Sequence, residues 1–161
     1  STFVSPETYR RIWAKPVGRV VDWIRRRGVD VVGYWTSGNI APLIPELLEI
    51  GVNLHQPLEC AAGMDAVDLR RRFGRELLLI GNISRQSLMD GPAAVEREFF
   101  RKVPTLMEAG GYIPAVDDLI TPDIPYASFC RYVELVGGLN VGLSKENRSR
   151  PTSAGTGGAP S

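Results

Sequence analysis

Along the chain, apolar runs end abruptly in glycine and polar groups, and four such events recur with amphipathic stretches between them. In the central one, Leu77, Leu78, Leu79 and Ile80 lack the polar alternation of a half-exposed strand. They predict a strand buried on both faces, the pattern of a parallel sheet. Gly81, Asn82, Ser84 and Arg85 follow, on the C-terminal edge where parallel α/β sheets hold their ligands. Asp30 to Tyr34 runs likewise into Thr36, Ser37, Gly38 and Asn39. Val52 to Leu54 runs into Glu59, and Gly111 to Val116 runs into Asp117 and Asp118.

The intervening stretches read as helices. Ser5-Pro6 opens the first in the manner of a serine cap with proline in the first turn, and Pro16 is expected to close it. Val17, Val20, Val21 and Ile24 give the stripe of a second helix, stopped at Gly28. A third carries Leu43, Leu47, Leu48 and Ile50 and ends at Gly51, with Gly38 to Ala41 left as loop because Pro42 and Pro45 delay regular helix. Asp65 caps a helix over Ala66 to Phe73, and Ser84 is expected to cap a short one through Met89. A longer helix starts at Pro92, bends or restarts at Pro104, and stops at Gly110-Gly111; the last runs from Pro125 to about Val136.

Composition narrows the class without naming a partner. The chain has 161 residues, 43% hydrophobic and 23% charged, enough for one domain with a real core. A formal net charge of +1 gives no long-range field toward nucleic acid or an acidic membrane surface, and no apolar run approaches the ~20 residues that span a bilayer. Cys60 and Cys130 lack CxxC spacing and a neighbouring histidine, which favours a reduced pair in a cytoplasmic protein. The globular unit is expected over 1–142. Residues 143–161, rich in Ser, Thr, Gly and Pro, are expected to form a disordered tail.

The strings GNIAPLIPELLEIGVN, PLECAAGMDAVDLRRRFG, LLLIGNIS and GGYIPAVDDLITPDIPYASF, in this order, resemble the C-terminal half of the uroporphyrinogen decarboxylase superfamily. The resemblance covers roughly Ser5 to Val136. It implies an α/β fold, the C-terminal half of a (β/α)8 TIM barrel, with about four parallel strands and the barrel completed by an N-terminal half or by a second copy. It also implies a carboxy-lyase that removes acetate carboxyl groups from a tetrapyrrole in porphyrin biosynthesis, without metal or organic cofactor. The arginine-rich motif and the aspartate that serve this reaction in the family would precede Ser1, so the chain alone is expected to be inactive. Two alternatives accompany it: a corrinoid-linked methyltransferase of the same superfamily, and a non-catalytic half barrel serving binding or oligomerisation. The methyltransferases' H-x-C zinc ligands correspond to Tyr34-Trp35-Thr36 here, so no zinc is expected.

Candidate residues follow from the strand ends. The family's histidine after the last strand corresponds to Asp117, so Asp117 and Asp118 are the catalytic candidates; in an extended segment only one of two neighbours can face a pocket. Asn39, Glu59, Asn82, Ser84 and Arg85 are candidates for binding substrate, Arg85 because a guanidinium fork suits a carboxylate. Each has a structural alternative. Glu59 could bond backbone amides of its own loop, Asn39 and Asn82 could be turn residues, and Ser84 could cap a helix. His55, the only histidine, and Cys60 read as packing residues.

Overall fold

A computed structural model describes residues 4–147. Ser5 opens helix α1 (Pro6–Tyr9), its hydroxyl accepting the Thr8 N–H at 3.1 Å. Pro16 does not close the helix. A π-helical turn over Arg10–Ala14 carries the chain straight into α2 (Lys15–Arg25). That wider turn already interrupts the i→i−4 ladder, so the proline ring and its missing donor fall where no regular bond is lost.

Four strands, β1 (Gly33–Trp35), β2 (Leu54–Gln56), β3 (Leu78–Ile83) and β4 (Tyr112–Val116), pair in parallel in sequence order. Consecutive parallel pairing with a helical connection each time is consistent with part of a (β/α)8 barrel. The first strands begin later than the apolar runs suggest. Asn53 accounts for this at β1: its side-chain oxygen accepts the Val32 N–H at 2.9 Å and its amide donates to the Asp30 carbonyl at 3.0 Å. A side chain thus occupies the bonding positions ahead of Gly33. His55 consequently lies inside β2 rather than after it, and Gly81 and Asn82 lie inside β3 rather than beyond it.

The connections are α3 (Ile44–Glu49), reached through a 3-10 turn at Ala41–Leu43, and α4 (Ala66–Phe73), capped by Asp65, which accepts the Asp68 N–H at 2.9 Å. Then come α5 (Arg85–Met89) and α6 (Pro92–Ala109), which runs through Pro104 without restarting. Helix α7 (Tyr126–Asn147) passes the end expected near Val136 and crosses the boundary expected after Gly142. The rest of the expected disordered tail, 148–161, lies outside the described residues. Among the described residues no helix is long and apolar enough to cross a membrane.

The core sits between the sheet and its helices. Tyr34, His55, Leu79 and Tyr112 are register partners across the four strands and face the helices as one row; Val95, Phe99, Val103 and Leu106 of α6 are buried in the same core. At the N-terminal ends of the strands Arg70 donates to the Leu77 carbonyl at 2.9 Å and the Gly111 carbonyl at 2.8 Å, pinning α4 to β3 and β4. The other face of the sheet is bare. Trp35 is 74% exposed and Ile113 57% exposed there, on the side a closed barrel turns inward.

His55 is fully buried in the core row, its ring edge-on to Tyr34 at 6.2 Å, and among the described residues neither ring nitrogen has a hydrogen-bond partner. Burial pushes its pKa down to about 4. The unfolded chain, with an ordinary histidine near 6.5, binds the extra proton first, so stability is fully present above about pH 6.5 and is lost as the pH falls toward about 4. The difference amounts to about 3 kcal/mol across that window. Urea midpoints of the parent and of His55→Phe between pH 4 and 7 are expected to diverge, with the parent steeper; parallel curves would contradict the buried neutral imidazole.

Candidate active site

The C-terminal ends of the four strands meet around a cavity of about 330 Å³. Its walls are Trp35 at the end of β1 and Ser37 after it, Gln56 and Pro57 at the end of β2, Ile80 and Gly81 of β3, and Ala115 to Leu119 at the end of β4, except Asp117. The parallel register explains the meeting, because each strand delivers its last residues to the same edge. Strand alternation turns Trp35, Gln56 and Ile80 to the bare face while Tyr34, His55 and Leu79 face the helices. Chemically the cavity offers one carboxylate, Asp118, one amide, one hydroxyl and an indole against an apolar floor.

The adjacent aspartates divide as extended neighbours must. Asp118 lines the cavity, with one carboxylate oxygen accepting the Leu119 N–H at 2.7 Å. Asp117 is turned away and is 3% exposed. One of its oxygens accepts the Cys60 N–H and the other the Arg85 N–H, both at 2.7 Å, so a single side chain ties together the loops that follow β2, β3 and β4. Glu59 makes the corresponding tie between the first two loops, accepting the Gly38 N–H at 2.7 Å. Its amide belongs to the neighbouring loop and not to its own.

The other candidates are held by the protein. The Arg85 guanidinium is turned to Thr121 at 2.5 Å and Asp123 at 2.8 Å, so it closes the β4 loop onto α5 and is no wall of the cavity. Asn82 is fully buried, with φ at +66°. Its side-chain oxygen accepts the Ala66 N–H at 2.9 Å, and its amide donates to the Leu58 and Met64 carbonyls at 2.8 Å each. Ser84 precedes α5 without a cap from its hydroxyl; its carbonyl instead accepts the Ser87 N–H at 3.0 Å and the Ser87 hydroxyl at 2.6 Å. Asn39 accepts the Ala41 N–H at 3.0 Å and lines a different cavity, which shares only Ser37 with that of Asp118.

Trp35 and Gln56 are walls that sequence reasoning passed over. Each is the last residue of its strand, a signal hidden because the strand ends were placed one or two residues early. Lys102 was also passed over. It sits on the apolar stripe of α6, is 2% exposed, and its ammonium donates to the Asn82 carbonyl at 2.7 Å and approaches the Cys60 sulfur at 3.4 Å beside Glu98. Burial pushes the Cys60 thiol up to about 12 against the opposing pull of that ammonium, so it is a neutral thiol and not a nucleophile. Among the described residues no three His, Cys, Asp or Glu side chains gather to hold a metal ion.

No curated protein and no solved structure matches this sequence. The family model described as uroporphyrinogen decarboxylase (URO-D) matches residues 1–139. With that match over most of its length and a parallel sheet whose strand ends converge on one cavity, the chain belongs to the URO-D family.

Proposed function

We propose that the chain forms the C-terminal half of a URO-D-like barrel enzyme, a carboxy-lyase, with Asp118 as the carboxylate that handles the proton at the mouth. The acetate side chains of a tetrapyrrole are the substrate class proposed from the family. The observation that carries this reading is the position of Asp118, which sits among mostly apolar walls at the edge where all four strands end. A pyrrole made electron-poor by protonation accepts the electrons of the broken C–COO⁻ bond as CO2 leaves; the exocyclic methylene carbon then takes up a proton to become a methyl group, and the ring returns the proton it carried. A carboxyl group at that edge is placed to pass a proton between the substrate and solvent at the open side. Among the described residues the walls hold no Arg, Lys or His, so the complementary part of the barrel is proposed to supply the cations that bind the substrate's carboxylates. The chain by itself is accordingly expected to show no turnover.

In the complete barrel, Asp118→Asn should lower kcat by roughly 10²- to 10⁴-fold, the range of a lost acid–base group, with little change in KM. Steady-state kinetics on the variant and the parent decide it. An unchanged kcat would remove Asp118 from the chemistry.

A further inference from the structure

A second cavity of about 320 Å³ lies on the helix side of the loop after β1 and is lined by Tyr9, Trp13, Tyr34, Thr36, Asn39 and Leu43, among others. We propose that it is a binding site for a flat, bicyclic heteroaromatic molecule bearing a hydrogen-bond acceptor. This site is separate from the mouth that holds Asp118.

Three observations support it. The walls on one side are aromatic: Tyr9 and Trp13 stack with ring centres 6.4 Å apart and planes inclined by 21°, and Tyr34 completes them. Such surfaces favour a planar ring over an aliphatic chain, and the volume is at the small end of ligand cavities, which suits about two fused rings. The polar groups are donors in search of an acceptor. Tyr9 is 5% exposed, yet among the described residues its hydroxyl has no hydrogen-bond partner, a state that native structures seldom leave unmet. Asn39 uses its side-chain oxygen on the Ala41 N–H, and among the described residues its NH2 has no acceptor. Finally, Tyr9 immediately precedes the π-helical turn at Arg10–Ala14, and Trp13 lies within it. Turns of that kind are rare and frequently lie at functional sites, and here the turn carries Trp13 and directly follows Tyr9 beside the β1 loop. Burial, with Tyr34 nearby, holds the Tyr9 phenol above its ordinary pKa, so it is a donor across the neutral range.

Quinoline and indole test the site on the 161-residue chain, because they match in size and shape while only quinoline carries a ring-nitrogen acceptor. Titrations followed by amide NMR shifts should show saturable quinoline binding with Gly38 and Asn39 among the residues that move, and indole at least about five-fold weaker, the worth of one hydrogen bond. Tyr9→Phe should weaken quinoline about five-fold without lowering the thermal midpoint, since it removes a buried hydroxyl that has no partner. Trp13→Ala serves as the second variant and should weaken both probes. The site is overturned by equal binding of the two probes, by unaltered quinoline affinity in Tyr9→Phe, by absence of saturable binding, or by shifts centred on Trp35, Gln56 and Asp118. None of these readouts depends on turnover, so the carboxy-lyase reading stands or falls separately.

Discussion

Gly81→Ala is expected to yield no cooperatively folded protein. Gly81 lies inside β3 with φ at +117°, and a Cβ placed there would come within 1.8 Å of the Pro57 carbonyl oxygen and 2.6 Å of its carbon. Both obstacles are backbone. They are fixed by the bond from the Asn82 N–H to that same carbonyl at 3.1 Å, and on the other side by the Tyr112 hydroxyl donating to the Gly81 carbonyl at 2.9 Å. Relief therefore requires β3 and the loop after β2 to separate, which opens the core at Leu79 and Ile83. A positive φ alone costs an alanine about 1 kcal/mol. Gly28→Ala provides that reference, because Gly28 has φ at +82° but nothing within 4 Å of its would-be Cβ. The contact at Gly81 should add well over 4 kcal/mol, among the largest effects of single substitutions. Thermal and urea unfolding of the two variants side by side makes the comparison. Gly81→Ala unfolding cooperatively within about 1 kcal/mol of Gly28→Ala would show that the loop yields.

That glycine also shows where sequence reasoning stopped. The buried run Leu77 to Ile80 correctly indicated a parallel strand, but a run of apolar side chains reports burial and not where ladder bonds end. Gly81 and Asn82 therefore resemble a loop in the pattern, while the strand continues through Ile83. Helices with explicit chemical punctuation were legible to the residue. Asp65 and Gly74 bound α4 as expected, and Pro92 and Gly110 bound α6. Pro16 is no stop, because a proline ends a helix only where it removes a regular bond, and the π-helical turn at Arg10–Ala14 has already interrupted the ladder ahead of it. The site was half legible. Four strand ends converging on one edge follow from the pattern, and so does the rule that only one of Asp117 and Asp118 can face the cavity. Which one does so is fixed by amides distant in sequence, those of Cys60 and Arg85, and no local pattern contains them.

Those amides make Asp117 the more consequential of the two aspartates for the fold, and the pair can be separated by experiment. Asp117→Ala removes both acceptors at once and strands the Cys60 and Arg85 N–H groups at a position only 3% exposed. Hydrogen bonds to an ionised acceptor contribute roughly 1.5 to 3 kcal/mol each, and a buried donor left alone forfeits its hydration as well, so a loss of about 3 to 5 kcal/mol is expected. Asp117→Asn should recover only part of this. Its oxygen can accept one amide, but its NH2 then meets the other donor. Asp118→Asn, whose side chain bonds only its neighbour's amide at the cavity edge, should stay within about 0.5 kcal/mol of the parent. Amide hydrogen exchange gives the local counterpart. In Asp117→Ala the Cys60 and Arg85 amides should exchange faster than in the parent by more than the global loss of stability explains, because the loops after β2, β3 and β4 are no longer joined by one carboxylate. If Asp117→Ala keeps the parent's stability and Asp118→Asn does not, the roles assigned to the two side chains are reversed, and the carboxylate at the mouth is Asp117.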